Sequence, residues 1–133
     1  MLKLEIVTPE KRVLDTEVET VTLPTASGEA GILQHHAPLI SALKPGVLSY
    51  VAKGTTDKLV VSAGFVEVNS DVVSVLVDTA EMPAEIDVAA AKTDLDAAEK
   101  AISAAGLVPS EQAEDAYNTL EHASARLRTA AGK

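Results

Sequence analysis

The chain has no cysteine and no tryptophan, and only one phenylalanine and two tyrosines in 133 residues. Without cysteine there are no disulfides and no thiolate metal ligands, and the redox compartment is left open. Aromatic residues make up 2% of the sequence, so the core has to be built from Val, Leu, Ile and Ala within a hydrophobic fraction of 47%. Basic residues are also scarce: 11 Lys and Arg stand against 20 Asp and Glu, a formal net charge of −9. That balance argues against a nucleic-acid partner, because phosphate contact needs a basic face. It also disfavours anionic lipid headgroups. No run approaches the ~18 apolar residues of a membrane span, so direct membrane insertion is not expected. Met1 to Ile6 alternates as a strand does and lacks a signal peptide's apolar block. No transit peptide precedes Leu2, which weighs against a mitochondrial precursor. The length suits one domain, or a small domain with an appendage.

What is present falls into two halves. Over residues 1–84 the apolar pattern is short and period-two. Leu2, Leu4 and Ile6 share one face of a strand, with Lys3 and Glu5 on the other. Val21 and Leu23 alternate with Thr20 and Thr22, and Leu48 and Tyr50 with Val47, Ser49 and Val51. Leu59 to Val61, Phe65 to Val68 and Val72 to Val77 are further β-branched strand candidates. Turn signals recur at Thr8-Pro9, Ser27-Gly28, Lys44-Pro45-Gly46, Lys53-Gly54, Ala63-Gly64 and Asn69-Ser70-Asp71. Many short strands with frequent turns imply an antiparallel β-sandwich or barrel.

Over residues 85–133 the period changes. Val88, Ala91, Leu95, Ala98, Ile102 and Ala105 recur three and four apart, and Ala113, Ala116, Leu120, Ala123, Leu127 and Ala130 repeat the spacing. This pattern predicts two helices in an antiparallel αα-hairpin. Asp87 is the expected N-cap of the first, Gly106 its C-terminal stop, and Pro109-Ser110 the start of the second. The seam is half alanine. At roughly 25 cal/mol per Å² of buried apolar surface, such a pair is marginal alone and needs docking against the β half or a partner. The fold class is therefore α+β in two parts.

Chemistry-bearing motifs are few. His35 and His36 are adjacent, and side chains of neighbouring extended residues point to opposite faces, so they do not chelate one ion together. Glu17 and Glu19 are read on one strand face as solvated carboxylates. There is no nucleophile elbow, Walker loop or dinucleotide fingerprint. No catalytic residue and no metal ligand is assigned. The stretch from Gly28 to Ile40 is read as a loop between strands, with Glu29 at its tip between Gly28 and Gly31. Pro38 keeps Ala37 extended into the next strand.

The order Gly28-Glu29-Ala30-Gly31-Ile32, followed by His36-Ala37-Pro38-Leu39, resembles the signature of the epsilon subunits of F-type ATP synthases. The resemblance extends over nearly the whole chain, through Val7-Thr8-Pro9-Glu10, Leu43-Lys44-Pro45-Gly46, Gly64-Phe65-Val66-Glu67-Val68 and Val75 to Glu81. Gln34 and His35 depart from it, since a proline and a glycine are common there. Thr25-Ala26-Ser27 replaces a glycine-rich approach.

The resemblance implies a non-catalytic central-stalk rotor subunit that couples proton translocation to ATP synthesis. It implies a β half bound to the gamma subunit and the c-subunit rotor ring. Gly28, Glu29, Ala30 and Gly31 would face the ring, and His36, Ala37, Pro38 and Ser41 the gamma subunit. The helical half would brake ATP hydrolysis by extending toward the catalytic beta subunit, with Arg126 and Arg128 making the contact. Some relatives bind ATP through an Ile-Asp-x-x-Arg-Ala run and arginines on the second helix. Here Ile86, Asp87 and Arg126 match, but Ala90 replaces the motif arginine and His122 stands at another basic position. No cofactor is expected, and ATP binding is expected to be weak or absent. The implied location is peripheral, on the cytoplasmic face of a bacterial inner membrane or the stromal face of a thylakoid. Read from its pattern alone, the chain also fits a free-standing β-sandwich interaction protein with a mobile hairpin.

Overall fold

The period-two segments fold into ten strands: β1 (Leu2–Val7), β2 (Arg12–Val18), β3 (Thr20–Thr25), β4 (Gly28–Leu33), β5 (Leu39–Leu43), β6 (Gly46–Ala52), β7 (Thr55–Val61), β8 (Gly64–Asn69), β9 (Val72–Val77) and β10 (Ala80–Glu81). A 3₁₀ turn at Pro83–Glu85 leads into α1 (Val88–Ala105) and α2 (Glu111–Ala131). The computed structural model describes residues 1–105 and 111–131. The stop expected at Gly106 and the restart expected at Pro109-Ser110 lie outside the described residues.

Followed across hydrogen bonds, the strands run β10-β7-β6-β3-β5-β8-β9-β1-β2, with β4 attached to β3. The pairings are antiparallel except one: β1 lies parallel to β9. The expected antiparallel body is therefore a mixed one. Tight hairpins force antiparallel neighbours, whereas β1 and β9 meet across most of the β half and no short turn fixes their direction.

The sheet curls on itself into a nearly closed barrel or sandwich. Leu2, Leu4 and Ile6 of β1 meet Val66 and Val68 of β8, Val73 and Val75 of β9, Val21 and Leu23 of β3, and Leu48 and Tyr50 of β6 in one cluster. Apart from Tyr50 this core is aliphatic, as the composition requires. Two tight turns use the left-handed region at both central residues, Lys53-Gly54 and Ser70-Asp71, as the twist of two-residue hairpins demands. Gly64 is fixed by contact instead, because a Cβ there would lie 2.1 Å from the carbonyl oxygen of Leu76.

The helices pair with each other, and α2 also lies against β6 and β7. Of the expected seam, Ala91, Ala98, Ala116 and Ala123 are buried, while Val88 stays 41% exposed. A second stripe on α2, holding Ala125 and Thr129, is buried too. It follows from α2 having two neighbours, the partner helix and the sheet. Val60 is also fully buried, yet it lies on the face of β7 away from the core and opposite Val47 of β6. Asp87 caps α1 as expected, its Oδ1 accepting from the backbone N–H of Ala90 at 3.0 Å.

Candidate functional site

Gly28 to Gly31 form strand β4 and not a loop. Glu29 pairs opposite Pro24 and Gly28 opposite Thr25, so the hairpin tip is Ala26-Ser27. This corrects the placement of Glu29 at a tip. A strand through two glycines is tolerated here because β4 pairs with β3 only. Gly28 needs its lack of side chain for a φ of +120°, and the Thr25 hydroxyl donates to its carbonyl. Gly31 has neither a positive φ nor any atom within 4 Å of a notional Cβ. Its surface is open. Glu17 and Glu19 are not on one strand face either: Glu19 lies between β2 and β3, and its carboxylate accepts from the Gly54 N–H at 3.2 Å.

Glu29 and Gly28 line a cleft of about 350 Å³ with Lys44, Leu120, Glu121 and Arg128. The strand that the resemblance turns toward the ring therefore shares a cleft with the second helix. Lys44 and Glu121 close part of this seam as an ion pair at 3.7 Å.

His36, Ala37 and Pro38 stand at the entrance to β5, and His36 Nδ1 lies 2.6 Å from the carbonyl oxygen of Ala37. His35, where a glycine is common, takes a φ of +66°. Its N–H donates to Asp71 Oδ1 at 2.6 Å, tying this loop to the β8–β9 turn. Ser41 alternates with Ile40 and Ala42 and shares the inward side with Leu39 and Leu43. The outward side belongs to Ile40 and Ala42.

The surface that sequence reasoning missed starts from those two. Ala42 pairs opposite Phe65, Phe65 opposite Leu76, and Leu76 beside Val7, a continuous row across β5, β8, β9 and β1. Phe65 is 60% exposed, Leu76 54% and Ile40 74%. The chain's only phenylalanine is outside, although the core is short of aromatics. Phe65 and Leu76 border a groove of about 530 Å³ with Val7, Pro9 and Gly64. Contiguous exposed apolar side chains of this kind mark a partner surface. The signal was present in the alternation: Phe65 shares a strand face with Glu67, not with Val66 and Val68.

The third region is the root of the hairpin. Arg126 of α2 is only 11% exposed, with Nε 2.8 Å from Glu81 Oε1 of β10 and Nη1 3.6 Å from Asp94 Oδ2 of α1. A further contact joins Nη2 to Glu81 Oε2 at 3.3 Å. The guanidinium is thus engaged by two carboxylates from two elements. His122 sits in the same cluster, and burial pushes its pKa down, more than Glu81 and Asp94 push it up; Arg126 lowers it further. Asp87 is occupied as the α1 cap, so the Ile86-Asp87 end and Arg126 each have structural partners. Arg128 is exposed, its Nε donating to the Ser124 carbonyl at 3.4 Å. Among the described residues no helix is long and apolar enough to cross a membrane.

Comparison with known proteins fits this geometry. A family model described as "ATP synthase, Delta/Epsilon chain, beta-sandwich domain" matches residues 1–83. The ATP synthase epsilon chain of Geotalea uraniireducens is 43% identical over 131 residues, covering 98% of this chain and 94% of that one. That of Carboxydothermus hydrogenoformans is 44% identical over 102 residues, 77% of this chain and 76% of that one. Among solved structures, a chain in the Euglena gracilis mitochondrial ATP synthase OSCP/F1/c-ring assembly superposes with a TM-score of 0.78 at 28% identity, covering 98% of this chain and 81% of that chain. A chain in the Tetrahymena thermophila mitochondrial central stalk/c-ring shares the fold, with a TM-score of 0.55 at 18% identity over 64% of this chain and 69% of that chain.

Proposed function

The chain belongs to the family of ATP synthase epsilon chains, and from that premise we propose that it is a non-catalytic rotor subunit of the central stalk, coupling proton translocation to ATP synthesis. Residues 1–84 act as the coupling body and residues 85–133 as a brake on ATP hydrolysis. The observation that carries the reading is the outward Ala42–Phe65–Leu76–Val7 row, with Phe65 and Leu76 exposed. It lies on the outer face of one half of the sheet, while α2 covers the outer face of β6 and β7 in the other half. One face is thus free for a permanent partner while the hairpin stays docked. The gamma subunit is that partner, with His36, Ala37 and Pro38 at the upper edge of the contact. A cross-bonded β body can carry torque because its strands cannot slide without breaking several hydrogen bonds together.

The rotor ring meets Gly28, Glu29, Ala30 and Gly31. Open space over Gly31 admits close backbone approach, and the exposed Glu29 carboxylate offers a charge-assisted contact to a basic loop. The brake works by release of α1 and α2 toward the beta subunit, a two-state element biased by partner contacts. Arg128 is exposed in the docked form and can reach such a contact, whereas Arg126 first has to leave Glu81. ATP binding by the hairpin is weak or absent, supported by Ala90 at the motif arginine and by the prior engagement of Asp87 and Arg126. The chain sits peripherally on the membrane that holds the ring, on the cytoplasmic face of a bacterial inner membrane or the stromal face of a thylakoid.

The test is Phe65→Asp in the full chain, measured for binding to the cognate gamma subunit. A desolvated aromatic anchor typically contributes ~2 kcal/mol or more, so affinity should fall by roughly thirtyfold or more. Unchanged affinity in a folded variant would place the gamma contact elsewhere.

A further inference from the structure

The root of the hairpin is built from three elements that are far apart in sequence. Arg126 bridges β10 and α1 from α2, so undocking α2 breaks its contacts with Glu81 as well as the seam. His122 lies one turn before Arg126 on the same helix. Its Nε2 is buried without a hydrogen-bond partner, and so is Thr129 Oγ1 two turns on. The charged groups acting on His122 are Glu81 from β10, Asp94 from α1 and Arg126 from α2. The outward face of β6 carries the uncharged Val47, Ser49 and Val51, and that of β7 carries Val60 and, opposite Ser49, Lys58; α2 lies against both strands. Asp57 and Lys58, farther along β7, line the groove at Thr129, and Glu85 of the 3₁₀ turn is held by the Met82 N–H.

We propose that this cluster is an acid-sensitive latch, in which neutral His122 and the Glu81–Arg126–Asp94 bridge hold the hairpin docked, and protonation of His122 releases it. A half-buried imidazolium beside a guanidinium, with Nε2 shut off from water and without an acceptor, is costly, and release into water removes that cost. The sign follows from the docked pKa being depressed. The docked form prefers the neutral ring, so this contribution to docking is complete above the ordinary histidine value of about 6.5. It is lost as pH falls through that value toward the docked one. The consequence for ATP hydrolysis rests on the brake reading above, but the latch itself does not.

Hydrogen exchange of the full-length chain, corrected for intrinsic rates, tests it between pH 7.5 and 5.5. Amides of α2 around residues 118–129 should open more often at the lower pH, by roughly threefold to tenfold, while β1, β8 and β9 stay protected. In His122→Gln, which cannot titrate, the pH effect should disappear with the hairpin still docked. Arg126→Gln should open at both pH values. No pH effect in the parent chain overturns the proposal. So does an equal effect in His122→Gln, or equal opening of the β strands, which would be global unfolding. If the latch behaves as described and hydrolysis by the assembled synthase shows no matching pH response, the latch stands and the brake reading fails.

Discussion

At the scale of single residues, backbone geometry separates positions that serve the fold from those free to serve a partner. Gly64 is structural: a Cβ there would also meet Val77 Cγ1 at 2.8 Å. Gly64→Ala should lower unfolding free energy by about 3 kcal/mol, the upper part of the overpacking range, as checked by urea denaturation. His35 makes the opposite prediction. Its left-handed φ costs a β-carbon residue ~1–2 kcal/mol, partly offset by the larger unfolded-state freedom of glycine. His35→Gly should therefore raise stability by about 0.5–1 kcal/mol in the same assay. Gly31 has neither constraint, so Gly31→Ala should leave stability within about 0.5 kcal/mol, as surface substitutions do. Any loss of function in that variant would report on the partner facing β4. These distinctions were only partly legible in the sequence. The glycine-bracketed run was readable as special, but alternation of small residues could not show whether it was loop or edge strand. The face of Phe65 was readable from its odd offset to the core valines Val66 and Val68, which sets it beside Glu67 on the other side of the strand.

At the scale of elements, the hairpin's narrow alanine seam was written in the three-four spacing, and so was the cap at Asp87. Asp87→Ala should destabilise α1 by about 1 kcal/mol, lowering its amide protection without touching the β strands. The second stripe on α2 was not legible. Ala125 and Thr129 carry little hydrophobic signal, and their burial depends on where the sheet sits, which no local period encodes. The bridge from Arg126 to Glu81 was hidden for the same reason, since 45 residues separate the pair. Exposed ion pairs contribute about 0–1 kcal/mol, while breaking a buried one costs ~3–5 kcal/mol. Arg126 lies between these cases, with Glu81 partly open to water. Arg126→Ala should weaken docking of the helices by about 2 kcal/mol, seen as faster proteolysis of α1 and α2 with the β half intact.

At the scale of the whole molecule, the two outer faces of the sheet differ in what covers them. One carries an outward apolar row, and the other is covered by α2, whose buried seam with α1 is alanine. A permanent contact on the first face and a reversible one on the second can coexist because they share no residue. They do share a core, so under the proposed function the body that would receive torque also sets the docking site of the proposed brake. Glu29, Lys44, Glu121 and Arg128 around one cleft make this concrete, since the strand proposed for the ring and the helix proposed for the brake border the same space. Fixing that seam separates the two functions. The absence of native cysteine allows Lys44→Cys and Glu121→Cys to be joined uniquely by a short bis-maleimide. A synthase carrying the linked chain should still pump protons on ATP hydrolysis, and should hydrolyse ATP faster than the same complex before linking, because the hairpin can no longer extend. Equal rates before and after linking would make the hairpin a fixed appendage. Loss of pumping with the row of Phe65 and Leu76 untouched would mean that coupling needs the hairpin to move, and the division between the two faces would have to be abandoned.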